Sequence, residues 1–217
     1  MKNKLVFVDN KTDLILNEVN KNIPLIIVKK FFNQITCKSM INFCIKNHSL
    51  DDHRKNNINK NLKSFSMDVL PENVLTKRIF RRFVLNKKGK NKFSEIKELE
   101  FLHKKILKKK NKKRILRKFA IIHYPKGGGF FDWHKHIRYP TNYAFIITLT
   151  KKGKHFKKGD IKFKVGKDVI DLENQNLSIG DLLLFRYDLP HAISPIDPNE
   201  TMVFDNNGRW SFIMFLD

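Results

Sequence analysis

The sequence predicts a mainly β protein with supporting N-terminal helices (α+β), whose second half forms a jelly-roll barrel. Three observations carry this. From Phe119 onward, short apolar segments alternate with turn signals, among them Gly153, Gly159, Gly166, Gly180 and Gly208. Before Phe119 the apolar residues recur with helical spacing instead. Between the two regimes stands His123-Tyr124-Pro125-Lys126-Gly127-Gly128-Gly129-Phe130-Phe131-Asp132-Trp133-His134-Lys135-His136, a glycine turn feeding a strand that carries two histidines at i, i+2. A chain of 217 residues suffices for one core, and no internal repeat or domain boundary interrupts it. Residues 1–217 are therefore read as one domain, with 1–118 as helical support and entry strand and 119–217 as the jelly-roll core.

In chain order, Lys2 to Val19 has room for a strand and a helical turn, and Asn20 to Asn22 for a turn. Ile23-Pro24-Leu25-Ile26-Ile27-Val28 is β-branched and apolar, hence a strand, with Pro24 tolerated near its start. Thr36 is positioned to cap a helix through Asn47 whose stripe is Cys37, Met40, Ile41, Cys44 and Ile45. Asn47 to Ser64 is polar and reads as a loop. Glu72 to Val84 reads as a basic helix, and Phe93 to Arg117 as a clearer one, striped by Ile96, Leu99, Leu102, Ile106 and Leu107. The barrel strands are expected at Phe119–Tyr124, Phe131–His136, Tyr143–Thr150, Ile161–Val165, Val169–Leu172, Asp181–Tyr187, Ala192–Ile196 and Arg209–Leu216.

The net charge of +23 raises nucleic acid or an anionic membrane as partners. The joint abundance of Lys, Asn and Ile points as readily to a biased background composition, and no groove-reading motif is present. Nucleic-acid contact is therefore expected to be non-specific only. No apolar run reaches the roughly 18 residues of a membrane span, and Leu5 to Val8 is too short for a signal-peptide core. The expected location is cytoplasmic. Cys37 and Cys44 lie two turns apart on one predicted helix, too far to bridge, and read as buried thiols in a reducing compartment. Lys126-Gly127-Gly128-Gly129 lacks the order of a phosphate-cradling loop, and no nucleophile elbow supports a serine hydrolase.

The chemistry-bearing residues cluster in three places. Residues i and i+2 of a strand face the same side, so Asp132, His134 and His136 share a face. A neutral imidazole is a common ligand for iron, zinc and copper. Downstream, Gly180 to His191 gives an apolar strand and then a histidine just after Pro190. Gly208 to Phe215 is a terminal strand on which Arg209 and Ser211 share a face. A planar guanidinium grips a carboxylate through two charge-assisted hydrogen bonds. Arg138 and Arg186, close to motif histidines, could meet an acidic substrate.

This order of residues resembles the iron(II)- and 2-oxoglutarate-dependent dioxygenases. In them a strand-borne His-x-Asp/Glu and a later His hold the iron, and an Arg-x-Ser binds the far carboxylate of 2-oxoglutarate. His134, His191, Arg209 and Ser211 match that pattern, and His136 stands where the family has a carboxylate. The entry strand, Phe31-Phe32 and the helix after them are also similar to prolyl-hydroxylase-like members. The resemblance implies a double-stranded β-helix with Fe(II) held by His134, His191 and His136, or by Asp132 as third ligand. It implies 2-oxoglutarate bound by Arg209 and Ser211, with Tyr143 able to reach it, and ascorbate as a reductant. The implied reaction is hydroxylation of a C–H bond in a small-molecule or peptide substrate, with release of succinate and CO2. Two other readings stand beside it. One is a non-enzymatic or zinc-binding cupin-like jelly roll, which has no need of Arg-x-Ser. The other is a nucleic-acid-acting relative, which carries a second arginine where this chain has Phe215.

Overall fold

The computed structural model describes residues 4–47, 62–69, 78–109, 117–136, 143–203 and 205–216. The chain opens with β1 (Leu5–Val8), α1 (Thr12–Asn20), β2 (Leu25–Val28) and α2 (Gln34–Asn47). Then come β3 (Leu62–Val69), β4 (Arg78–Leu85), the single turn α3 (Lys87–Lys90) and α4 (Glu95–Lys109). The remainder is all strand: β5 (Arg117–Pro125), β6 (Gly129–His134), β7 (Tyr143–Thr148), β8 (Ile161–Val165), β9 (Asp168–Asp171), β10 (Leu182–Arg186), β11 (His191–Ile196) and β12 (Gly208–Leu216). All eight expected barrel strands are present.

The strands form one curled sheet in the order β1-β2-β10-β7-β12-β5-β4-β6-β11-β8-β9, with β3 pairing onto β4. Curling brings β10-β7-β12-β5 opposite β6-β11-β8-β9, and alternation along each strand sorts side chains into two cores. Leu25, Ile27, Ile122, Ala144, Leu183, Phe185, Ile161, Phe163 and Ile193 fill the barrel. Ile26, Val28, Phe145, Ile147, Leu182, Leu184 and Phe212 face the other way, onto Leu99, Leu102 and Ile106 of α4 and Met40 and Cys44 of α2. Strands buried on both faces read as continuous apolar runs, which is why β2 and β10 look alike in sequence. Cys37 and Cys44 are both buried and free.

Two expectations from the first half are corrected. The basic helix expected over Glu72 to Val84 is a strand where the chain is described: β4 pairs with β5 through Arg81 to Val84 and with β6 through Arg78 and Ile79. Its residues alternate rather than turn. Phe80 and Val84 enter the barrel core while Phe83 and Leu85 enter the outer core. The second correction is β3, whose start falls in the stretch read as a loop; residues 48–61 lie outside the described residues.

Arginines on the outer face are met by neutral rings. Arg81, 1% exposed, donates from Nε and Nη2 to Nδ1 of His123 at 2.9 and 2.7 Å, and Nη2 also reaches the Asp205 carbonyl. His123 stacks on Trp210 with centroids 4.2 Å apart. At the other end, Arg117 Nε donates to His103 Nδ1 at 2.5 Å. Burial, aided by each neighbouring arginine, holds His123 well below the usual histidine range and His103 down to about 3. Both are neutral in the folded state, whereas an unfolded histidine takes its proton near pH 6.5. Their stabilising contribution is complete above that pH and is lost as the pH falls toward the folded values. Stability from urea denaturation should therefore fall by on the order of a few kcal/mol between about pH 6.5 and 4. His103→Leu should flatten that slope; an unchanged slope would show that His103 titrates normally.

Candidate active site

The glycine turn sets the approach to the site. Gly127 and Gly128 take φ of +79° and +112°, and a Cβ on Gly127 would come within 2.3 Å of the Met202 backbone. Their amides bond to the carbonyls of Asp197 and Ile196 at 3.2 and 2.9 Å, tying the turn to the end of β11. From there β6 runs antiparallel to β11, with His134 directly opposite His191. His136, just past the strand end, is anchored by its amide to the Tyr187 carbonyl at 3.1 Å. One ligand nitrogen from each of His134, His136 and His191 lies within 4.8 Å of the other two. Asp132 does not join them: its Oδ1 accepts from the amide of Trp133 at 2.7 Å.

Hydrogen bonding sets the protonation of two of these rings. Nδ1 of His134 lies 2.8 Å from the Asp132 carbonyl, and Nδ1 of His191 lies 2.9 Å from the Leu189 carbonyl. A carbonyl only accepts, so both Nδ1 atoms carry the proton and both Nε2 atoms keep a bare lone pair. Burial lowers all three imidazoles, His134 to about 4 and His191 furthest of all, so none carries a charge at neutral pH. Aromatic packing fixes the rings. Phe131 stacks on His134 at 3.8 Å, Phe185 lies 4.8 Å from His191, and Tyr187 lies 4.8 Å from His136. Three neutral, oriented nitrogen donors at this spacing can hold a divalent first-row metal with open positions left over.

The histidines open into a cavity of about 520 Å³, walled by Phe131, Tyr124, Ile146, Phe185 and Ile193 and by Arg78 and Arg82 of β4. Arg209 and Ser211 are both buried on the inner face of β12, and Arg209 lines a neighbouring cavity of about 300 Å³ with Asp160. Arg209 donates from Nε to Asp160 Oδ1 at 3.0 Å and from Nη1 to Ser211 Oγ at 2.5 Å. Its Nη2 is buried with no hydrogen-bond partner among the described residues. Tyr124 is the cross-strand partner of Arg209, with its ring 5.9 Å from the guanidinium, and it also lines the histidine cavity. It stands at the boundary of the two spaces.

Tyr143 is a correction. Pairing of β7 with β12 sends its even-numbered residues into the barrel, so Tyr143 faces the outer core, where its hydroxyl donates to the Ile23 carbonyl at 2.9 Å. It does not reach the histidine cavity. Arg186 is answered by Asp188, which accepts from both Nε and Nη2. Arg138 lies outside the described residues. Tyr124, Asp160, Arg78 and Arg82 are site-lining residues that sequence reasoning passed over. For Tyr124 the signal was its register with Arg209; Arg78 and Arg82 sat in a segment read as helix.

No protein-family profile matches the sequence, and a search of curated proteins finds no match. The fold does match solved structures. A Pseudomonas putida prolyl-4-hydroxylase aligns with a TM-score of 0.64 at 11% identity, over 95% of this chain and 98% of that one. A Trichoplax adhaerens prolyl hydroxylase, solved with a hypoxia inducible factor oxygen degradation domain peptide fragment, gives 0.59 at 16% identity over 94% and 88%. A Burkholderia pseudomallei oxidoreductase of the 2OG-Fe(II) oxygenase family gives 0.55 at 11% identity over 98% and 94%. The architecture is thus the double-stranded β-helix of those oxygenases.

The Arg209–Asp160 pair is 2% and 5% exposed, so removing one partner strands a buried charge. Asp160→Ala should lower the unfolding free energy by about 3–5 kcal/mol, and Asp160→Asn by less because its carbonyl still accepts from Nε. Chemical denaturation of the two variants checks this. No difference from wild type would mean that water, not Asp160, satisfies Arg209.

Proposed function

We propose that the protein is an Fe(II)- and 2-oxoglutarate-dependent oxygenase, hydroxylating a C–H bond of a small-molecule or peptide substrate. The single observation that carries this reading is the convergence of His134, His136 and His191 at the mouth of a double-stranded β-helix. The residues fit the implied groups. Two of the three imidazoles present Nε2 with Nδ1 tied to a carbonyl, the arrangement that holds a metal ligand in place. The buried Nη2 of Arg209 is a donor left over for the far carboxylate of 2-oxoglutarate, with Tyr124 beside it at the boundary of the two cavities. Bound iron and 2-oxoglutarate together supply the oxidation of a C–H bond by dioxygen, with succinate and CO2 as co-products.

The chain's own contribution is placement and an apolar wall. His134, His136 and His191 would hold the metal through three imidazole nitrogens, fewer than its full set of ligands, so that cosubstrate and oxygen could also bind. Arg209, held by Asp160 and Ser211, offers a charge already oriented, so less rotamer entropy is lost on binding. Phe131, Ile146, Phe185 and Ile193 give the cavity an apolar wall. Three imidazoles also suit Zn(II), and this favours one second reading, a zinc-binding jelly roll without turnover. The Trichoplax neighbour was solved in complex with a peptide fragment, which supports a peptide as one form of substrate here.

Protein supplied with Fe(II), ascorbate and oxygen should convert 2-oxoglutarate to succinate, slowly, even without prime substrate. Arg209→Ala should weaken 2-oxoglutarate affinity by a few kcal/mol, the scale for truncating a buried charged partner. Intact affinity in that variant would remove Arg209 from the site. His136→Ala should lose iron affinity and turnover, and Lys135→Ala should change little. His136→Asp, which supplies a carboxylate at the same position, should keep or raise turnover. Iron titrations of these proteins decide the role of His136, and unchanged affinity in His136→Ala would exclude it.

A further inference from the structure

The contacts that orient Arg209 also take up its charge. Arg209 and Asp160 are both buried and line the same cavity of about 300 Å³. A guanidinium can grip a carboxylate with two parallel N–H bonds along its Nε/Nη2 edge or along its Nη1/Nη2 edge. Asp160 closes the first edge by accepting from Nε, whose single hydrogen is then engaged, and Ser211 Oγ accepts from Nη1. Nη2 is the one nitrogen of Arg209 without a partner among the described residues. Asp160 is likewise half used. Both of its side-chain bonds, from Arg209 Nε and from the Ile161 amide at 2.7 Å, fall on Oδ1, and Oδ2 accepts none among the described residues. Of the other charged residues lining the cavity, Lys152 is paired with Glu173 at 2.9 Å and Lys151 is half-buried.

The pair therefore offers a ligand one N–H donor and one acceptor oxygen, with no net charge between them. A carboxylate finds one donor there and a second carboxylate beside it, and in a buried site like charges repel with little screening. A carboxamide can meet both groups, its carbonyl accepting from Nη2 and its N–H donating to Oδ2. Neutralising a buried arginine is reason enough for Asp160 to be present, but its effect on an incoming end group is the same whichever need placed it there. We infer that Asp160 is a specificity-determining residue of this site, where it removes the advantage that a terminal carboxylate has over a terminal carboxamide on a 2-oxo acid bound at Arg209. The inference rests on the oxygenase reading, which brings such an acid to Arg209, and it makes 2-oxoglutarate a cosubstrate whose affinity Asp160 restrains.

Anaerobic calorimetry on Fe(II)-loaded protein tests it with two stable analogues, N-oxalylglycine and N-oxalylglycinamide. Each carries a 2-oxo acid head, and they differ only in ending on a carboxylate or a carboxamide. An unopposed buried arginine would favour the carboxylate by at least about tenfold, the scale of a charge-assisted hydrogen bond. Wild type should bind the two within about threefold of each other. Asp160→Asn keeps an acceptor for Nε and puts an amide in place of the second oxygen, so it should raise the preference for the carboxylate to at least about tenfold. Asp160→Glu, which retains the charge, should keep the ratio near the wild-type value. Asp13→Asn, which removes an exposed carboxylate from α1, should leave it unchanged. The ratio compares two probes on one protein, so a variant that is merely looser loses affinity for both and leaves it unmoved. A wild-type preference for N-oxalylglycine of about tenfold or more overturns the proposal without recourse to any variant, and so does a ratio that Asp160→Asn does not move. Failure of both analogues to bind wild-type protein that has taken up iron would instead refute the oxygenase reading, and this proposal with it.

Discussion

His134 on β6 and His191 on β11 are direct cross-strand partners, and the rest of the site is arranged around that one pairing. A slip of one residue would turn either ring to the opposite face of its strand. Several devices hold the register. The amides of Gly127 and Gly128 bond to the carbonyls at the end of β11, while irregularities beyond His191 let β11 bend as it follows the barrel wall. Each histidine then bonds the carbonyl two residues before it in sequence, Asp132 or Leu189, so the two rings are oriented by the same local device. His136 joins as the third donor through its own anchor on Tyr187.

Much of this was legible in the sequence, for physical reasons that differ from element to element. The barrel strands stand out because turn glycines punctuate short β-branched and aromatic runs. The histidines and Arg-x-Ser stand out because period two places each set on one face. Tyr143 was misplaced because β7 is buried on both sides, so its composition does not reveal which parity faces the cavity. That parity is set by pairing Thr148 with Ser211, a non-local fact. The Arg209–Asp160 pair joins β12 to the residue before β8, and nothing local to either residue announces it. Segment β4 was misread because its arginines, at alternating positions on both faces, mimic a basic helix.

That strand shows how one residue type serves two purposes. On the outer face Arg81 is buried against His123 and Trp210, and burial lowers its own proton affinity to about 10. Its role is structural, tying β4 to β5 and to the loop before β12. On the inner face Arg78 and Arg82 line a cavity. The net charge of +23 is therefore not only a surface property. Part of it lines the cavity beside the histidines.

In the proposed oxygenase, three imidazoles and an inward arginine together hold an iron–2-oxoglutarate chelate. The most direct test is anaerobic addition of Fe(II) and then 2-oxoglutarate to the purified protein, followed by visible absorbance. A weak charge-transfer band should appear only when protein, iron and cosubstrate are all present, and His191→Ala should abolish it. Tight metal binding with no such band at saturating 2-oxoglutarate would contradict it and leave a metal-holding jelly roll in its place.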